Sequence, residues 1–422
     1  MKKKTKNGRI KTLLIELAKK NAQFRVLARF FYDLLRRIRY QIRGIGVTVQ
    51  PKHVFFISFK GNAYVCSPKA IYEQMLQDEK YSEYRFIWAF DEPEKYEFLL
   101  KNRNTSLVRT NSKSMEVAMQ KCEYWIANHR VADYISPSHN QTYVQCWHGT
   151  PLKRLGYDLA FLNNAMNSSD EMWSKYKIDA KKFKYLISPS RYATEKFISA
   201  WNLKAIDKES AVIETGYPRN DFLYNYTQQD VQSILKTLGI PADQNKKIAM
   251  YAPTWRDNQF QSEIGYTYQH QLNLDLWRER LGDEYIILCR FHYFVANQID
   301  FDKYAGFIYN LSDYDDINHL YVVSDLLITD YSSVFFDYAN LRRPILFYMY
   351  DLEDYRDNIR GFYLGLEELP GKIITSEESL LAEIEELDFK NHYDDKYKAF
   401  NAKFNYLDDG HAAERAADII FS

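Results

Sequence analysis

From Gly46 onward, short apolar runs rich in β-branched and aromatic residues alternate with amphipathic stretches of helical period, a pattern that restricts the chain to parallel βα units wound into open sheets. The first series of predicted strands is His53 to Phe59, Tyr84 to Phe90, Glu123 to Ala127, Thr142 to Trp147, Lys184 to Ser188 and Ala211 to Glu214. Helices are predicted between them at Pro68 to Gln77, Lys113 to Lys121 and Ala193 to Ala200. A polar crossover, Tyr224 to Asn245, leads to a second series at Lys247 to Ala252, Tyr285 to Cys289, Ala305 to Tyr309, Asp325 to Thr329 and Pro344 to Phe347. A chain of 422 residues exceeds what one core organises, so two Rossmann-like α/β halves in tandem are expected. The acidic stretch Ser376 to Asp388 and a last helix near Ala412 to Ile420 are expected to pack across both halves. No Gly-x-Gly-x-x-Gly and no Gly-Lys-Ser/Thr loop occurs, which disfavours NAD-type and P-loop nucleotide binding.

Overall neutrality hides a division of charge. Residues 1 to 43 hold 14 Lys or Arg against Glu16 and Asp33, a net +12, so the remaining 379 residues carry −12. In this arm Leu13, Leu14, Leu17, Phe24, Leu27, Phe31, Leu34, Leu35 and Ile38 recur at helical spacing, with Arg25, Arg29, Arg36, Arg39 and Arg43 mostly off that stripe. Such a basic amphipathic helix either lies on an anionic membrane surface or packs on the body with a solvated basic face. Nucleic acid is not expected, because the body is acidic and shows no recognisable binding module. Basic residues interrupt every apolar run in the arm, so no signal peptide is expected, and no stretch approaches a membrane span. Cys66, Cys122, Cys146 and Cys289 are scattered without metal-ligand spacing and read as buried thiols.

Candidate chemistry lies where strands end. Trp147-His148-Gly149-Thr150-Pro151-Leu152-Lys153 follows the strand beginning at Thr142, and the glycine and proline stop that strand at its carboxyl edge, where open α/β sheets bind ligands. Gly216-Tyr217-Pro218-Arg219-Asn220-Asp221, Pro253-Thr254-Trp255-Arg256 and Arg290-Phe291-His292 leave later strands in the same sense. Asp330-Tyr331-Ser332-Ser333 follows another strand and opens a helix-like run, either an anion site or an ordinary cap. Cations, hydroxyls and two histidines on one edge suit transfer of a phosphate-containing group. The grouped carboxylates Asp313, Asp315 and Asp316 read as a helix start rather than a metal cage.

As a set, these motifs, with Tyr251 and Ala252 before Pro253 and Thr329 before Asp330, resemble in order and approximate spacing the CDP-glycerol glycerophosphotransferase family of wall teichoic acid primases and polymerases, from about residue 50 to residue 400. The resemblance implies a GT-B-like fold, two Rossmann-like domains facing a central cleft. It divides the chain into a basic membrane-associating arm (1–46), an acceptor-side domain with the catalytic histidine (47–230), a CDP-donor domain (231–400) and a terminal helix packing back (401–422). The implied reaction moves glycerol phosphate from CDP-glycerol to a hydroxyl of a polyprenyl-diphosphate-linked saccharide or polyol phosphate. It releases CMP and takes place at the cytoplasmic face of a bacterial membrane. By the same resemblance His148 is the general base, and Arg290 with His292 stabilises the diphosphate. Trp147, Gly149, Thr150, Pro151, Arg219, Pro253, Thr254, Asp330, Ser332 and Ser333 hold the donor, and Pro370 with Gly371 approaches the cytidine. CDP-glycerol is then a substrate, no resident cofactor is implied, no residue is assigned to a metal, and metal dependence stays open. The arm is shorter than the amino-terminal membrane-binding domain of the polymerases and nearer a primase in size, and His292-Tyr293 stands where members often have His-Pro. Three other readings stay open: a ribitol-phosphate transferase, a GT-B glycosyltransferase releasing UDP, and a non-catalytic membrane adaptor.

Overall fold

The computed structural model describes residues 22–159, 169–242, 245–254, 260–261, 265–266, 272–291, 299–352 and 361–422. The first half is a seven-stranded parallel sheet in the order β3-β2-β1-β4-β5-β6-β7. Its strands are β1 (Gln50–Ile57), β2 (Arg85–Phe90), β3 (Thr105–Arg109), β4 (Cys122–Ala127), β5 (Thr142–Gln145), β6 (Tyr185–Ser188) and β7 (Val212–Glu214). After β8 (Lys247–Ala252) and a small antiparallel ribbon, β9 (Phe260–Gln261) with β10 (Gly265–Tyr266), come β11 (Tyr285–Cys289), β12 (Ile308–Asn310), β13 (Leu326–Thr329), β14 (Ile345–Tyr348) and β15 (Lys372–Ile374). The second sheet runs β12-β11-β8-β13-β14-β15, also all parallel. In each sheet the winding reverses once, between β1 and β4 and between β8 and β13, and a crevice opens there at the carboxyl ends.

Helices cover both faces of each sheet, which is why the strands read as nearly unbroken apolar runs. Along β1, Phe55 and Ile57 enter one core with Trp125, while Val54 and Phe56 enter another with Ile126. Two predicted strands overrun their true ends by two residues. β1 stops at Ile57 because Phe59 and Lys60 take φ of 44° and 62°, and β5 stops at Gln145 because Trp147 takes φ of 50°. Left-handed backbone leaves the extended conformation that regular pairing needs, and at these two ends pairing does not resume, so each chain turns at the sheet edge. The helix Glu377–Glu385 does not span the halves as expected, for Leu380, Leu381 and Ile384 share a core with Trp277 and Tyr285 of the second half. The crossing falls to Asp395–Phe404, whose Phe404 meets Tyr192 edge-on at 4.8 Å. The last helix, Ala412–Phe421, returns to the first half and packs Ala416, Ala417 and Ile420 beside Val54 and Tyr72.

The halves are pinned together by Gly216 to Asp221. Gly216 turns at φ 83°, where an added Cβ would lie 2.6 Å from the Leu407 carbonyl. Arg219 then donates from Nη2 to both carboxylate oxygens of Asp337 at 2.8 and 2.9 Å, with both side chains almost wholly buried. Asn220 donates to Asp337 at 3.1 Å and to Asp408 at 2.7 Å, while Asp221 accepts the amides of Ala412 and Ala413 and so caps the last helix. Lys69 with Asp316 (2.9 Å) and Tyr96 with Asp315 (3.1 Å) add two more ties.

The arm helix, Ala22–Arg43, docks by its polar side. Arg39 and Arg43 converge on the buried Glu116 carboxylate at 2.6 and 2.8 Å, Arg36 lies 4.5 Å over the Tyr134 ring, and Tyr40 is buried. Phe30, Phe31, Leu35, Ile38 and Ile42 are left exposed. This reverses the arrangement of a helix seated on the body by its apolar stripe. Among the described residues no helix is long and apolar enough to cross a membrane.

Removing one partner of a buried ion pair strands the other charge, at a cost of about 3–5 kcal/mol. Arg219→Met is therefore expected to lower stability in urea unfolding by that amount, and adding Asp337→Leu to restore part of it. An Arg219→Met protein as stable as its parent contradicts this pinning.

Candidate active site

The carboxyl edges of the two sheets face one another across a cleft of about 620 Å³. The first half contributes Trp147 to Lys153 and Leu155. The second contributes Ala252, Pro253 and Thr254 after β8, Arg290 and Phe291 after β11, and Tyr331, Ser332 and Ser333 after β13. Of the residues expected at the site, Trp147, His148, Gly149, Thr150, Pro151, Pro253, Thr254, Arg290, Ser332 and Ser333 line this one cleft. The approach is close, since a Cβ on Gly149 would sit 2.9 Å from Ser333 Oγ. Beyond Pro151 the same loop runs into the second half. Leu152 and Arg154 hydrogen-bond to Tyr363 and Gly361, and Lys153 bridges to Phe362.

His148 is held from behind. Its Nδ1 lies 2.8 Å from the Asn128 carbonyl, which only accepts, so Nδ1 carries the proton and Nε2 keeps its lone pair. The Trp147 ring lies against it at 4.4 Å, and the Trp147 amide donates to Gln145 Oε1 at 3.0 Å. His148 is exposed at the cleft surface, yet its ring sits against the protein on the Asn128 and Trp147 side, which takes away part of its hydration. That desolvation outweighs the Asn128 hydrogen bond, and with the positive charge of Arg219 it draws the pKa below the usual histidine value of 6.5. A neutral imidazole with a free Nε2 is a proton acceptor ready for use near neutrality.

On the opposite wall Arg290 donates from Nη1 to the carbonyls of Leu311 and Tyr314, at 3.2 and 2.5 Å, which fixes its guanidinium at the cleft edge. Burial draws its pKa down from the ordinary arginine value. The Thr254 amide donates to Asp330 Oδ1 at 2.7 Å, joining the turns after β8 and β13. Asp330 itself is buried below the cleft and shapes the wall rather than facing a ligand, contrary to the expected direct contact. Ser333 caps the helix Val334–Tyr338 without a side-chain hydrogen bond, leaving its hydroxyl for the cleft, but five residues make a weaker anion site than the sequence suggests.

Two further expectations are corrected. Arg219 does not reach this cleft, because its guanidinium is committed to Asp337. Pro370 and Gly371 precede β15 at the amino end of its sheet, away from the cleft, and a Cβ on Gly371 would lie 1.9 Å from the Ile345 carbonyl. His292, Trp255 and Arg256 lie outside the described residues. Ser312, Asp313 and Tyr331 line the cleft without having been singled out for it. Asp313 belongs to the carboxylate group expected to start a helix. The helix begins at Ile317 with Asp316 as its cap, which leaves Asp313 upstream in the turn after β12.

The model for CDP-glycerol:poly(glycerophosphate) glycerophosphotransferase matches residues 39–422. A teichoic acid poly(glycerol phosphate) polymerase of Bacillus subtilis (strain 168) is 40% identical over 88% of this chain and 49% of its own length, so this chain spans about half of that relative. Its counterpart in Bacillus spizizenii is 38% identical over 93% of this chain and 98% of its own. The structure of the wall teichoic acid polymerase TagF superposes with a TM-score of 0.82 at 37% identity, covering 93% of this chain and 97% of that one.

Proposed function

The chain belongs to the CDP-glycerol:poly(glycerophosphate) glycerophosphotransferase family, and on that premise we propose that it transfers glycerol phosphate from CDP-glycerol to a hydroxyl of a lipid-linked saccharide or polyol-phosphate acceptor in teichoic acid synthesis. The observation that carries this reading is His148, neutral and with Nε2 unprotonated, facing Arg290, Ser332 and Ser333 across one cleft. The acceptor hydroxyl gives its proton to Nε2 as its oxygen bonds to the phosphorus that bears glycerol. The bond from that phosphorus to CMP breaks, and CMP leaves with the electron pair. Little covalent work falls to the protein, so rate rests on positioning and on fixed donors aimed at the phosphate oxygens. Arg290 suits that task because two carbonyls hold its guanidinium in place, and the hydroxyls of Thr150, Ser332 and Ser333 supply further donors.

The same premise gives the arm a use. A helix that spends its arginines on Glu116 and Tyr134 while exposing Phe30, Phe31, Leu35, Ile38 and Ile42 suits the surface of an anionic bilayer, with that stripe among the acyl chains. It would hold the cleft beside a membrane-borne acceptor, at the cytoplasmic face where CDP-glycerol is available.

Offered CDP-glycerol, CDP-ribitol and UDP-sugars with a lipid-linked disaccharide or a glycerol-phosphate-primed acceptor, the protein is expected to release CMP from CDP-glycerol and to add one glycerol phosphate per CMP. His148→Ala is expected to lower kcat by about 10²–10⁴-fold while donor binding, read by calorimetry, stays within about twofold. Release of UDP, or normal turnover by His148→Ala, contradicts the proposal. For the arm, Phe31→Ser/Leu35→Ser/Ile38→Ser is expected to abolish flotation with anionic liposomes, and flotation equal to the parent's would remove the membrane role.

A further inference from the structure

The first sheet has a crevice of its own that the donor cleft does not use. Where β1 and β4 part, Phe59 and Lys60 leave one strand and Asn128, His129 and Arg130 leave the other. This is the topological switch point, the counterpart of the place where Pro253, Thr254 and Ser332 form the donor wall on the second sheet. A second cavity, of about 600 Å³, opens there, and it shares Trp147 and His148 with the donor cleft. His148 therefore stands between two chambers.

The second chamber is built for an anion. His129 accepts the Lys60 amide at Nδ1 (3.3 Å), so its proton sits on Nε2 and that nitrogen is a donor. Its pKa is pushed down to about 3, by burial first and then by the positive charges of Lys60 and Arg130, so it stays a neutral donor throughout the working range. Lys60 makes no ion pair among the described residues, and neither does Arg130, whose guanidinium lies 5.1 Å over the Tyr176 ring. Asp133 is the carboxylate on this wall, set against Lys60, Arg130, Lys175 and Arg36. The turn that presents Lys60 has two consecutive non-glycine residues at positive φ and is anchored by the Phe59 amide on Asn128 Oδ1 at 2.7 Å. The same Asn128 holds His148 through its carbonyl. Left-handed conformations at ordinary residues are costly and persist where the surroundings enforce them.

We propose that this chamber binds the acceptor by a phosphate group, held by Lys60, Arg130 and His129 Nε2–H, with the acceptor's terminal hydroxyl brought to His148 Nε2. The assignment rests on the transfer reading above and deepens it, since it makes acceptor recognition depend on an anionic group a few bonds from the reacting hydroxyl. Two acceptors carry that chemistry, the terminal phosphodiester of a polyol-phosphate chain and the diphosphate of a lipid carrier.

Lys60→Met and Arg130→Met are to be assayed in the full chain with three acceptors: a soluble glycerol-phosphate oligomer, a lipid-diphosphate disaccharide lacking glycerol phosphate, and a soluble polyol of matched length without phosphate. Losing one charge-assisted hydrogen bond is expected to raise KM about tenfold or more for a phosphate-bearing acceptor and leave KM for the uncharged polyol unchanged. Donor affinity, measured by calorimetry without acceptor, is expected to stay within about twofold. A rise confined to the oligomer assigns the chamber to the growing chain, and one confined to the lipid substrate assigns it to the carrier. An equal rise for charged and uncharged acceptors, or none in either variant, overturns the inference. Lys60 is exposed, so its variant keeps the test valid if Arg130→Met does not fold. Failure of the parent protein to turn over CDP-glycerol with any acceptor would sink the transfer reading instead.

Discussion

The buried pair of Arg219 and Asp337 fixes the geometry on which everything else depends. Two parallel sheets built from one chain have no intrinsic reason to present their carboxyl edges to each other, and an apolar interface alone would tolerate a range of angles. A two-bond ion pair with Asn220 and Asp408 stacked against it does not. Its charges are out of water and satisfied only in one arrangement, so sliding of the halves would leave a carboxylate or a guanidinium uncompensated. The pair adds orientation more than it adds net stability. It also places a positive charge near His148, which adds to the desolvation that chiefly draws that imidazole's pKa down.

Within that frame both sheets use their edges alike. The turns leaving β8 and β13 are joined by the Thr254 amide on Asp330, and those leaving β1 and β4 by the Phe59 amide on Asn128. In each case a buried carboxylate or amide side chain on one strand end captures a backbone donor from the other and sets the width of the crevice. The strand next to β4 then supplies His148, and the short turn through Trp147 swings it between the two crevices.

Much of this was legible in the sequence because apolar runs mark buried parallel strands and a glycine or proline marks where they stop. Thr105–Arg109 escaped notice because it is an edge strand, with Ser106 and Arg109 pointing to solvent and no apolar run to betray it. Lys372–Ile374, three residues at the other sheet's edge, escaped for the same reason. A strand end tells which residues approach an edge but not which way a long side chain turns. The sequence alone points Arg219 at a phosphate because its partner Asp337 lies 118 residues away, on a helix whose docking no local pattern reveals. Pro370-Gly371 was placed at the cleft by resemblance, whereas its position before β15 puts it at the opposite end of the sheet. Conversely, Asn128-His129-Arg130 follows a predicted strand with the same His and Arg signature as Arg290-Phe291-His292. Only the strand order, which puts β4 beside β1, shows that it faces Lys60.

The central claim is that a neutral His148, which lines both chambers, takes the acceptor's proton at Nε2. The pH dependence of kcat/KM for glycerol-phosphate transfer tests it most directly. Because the His148 pKa is drawn below 6.5, the base stays competent as pH falls to that value, and activity is lost only as pH passes through the lowered pKa. The acid limb of the profile is thus predicted below pH 6.5 in the parent and absent from the residual activity of His148→Gln. The same limb in both proteins, or one centred above 6.5, would contradict the account.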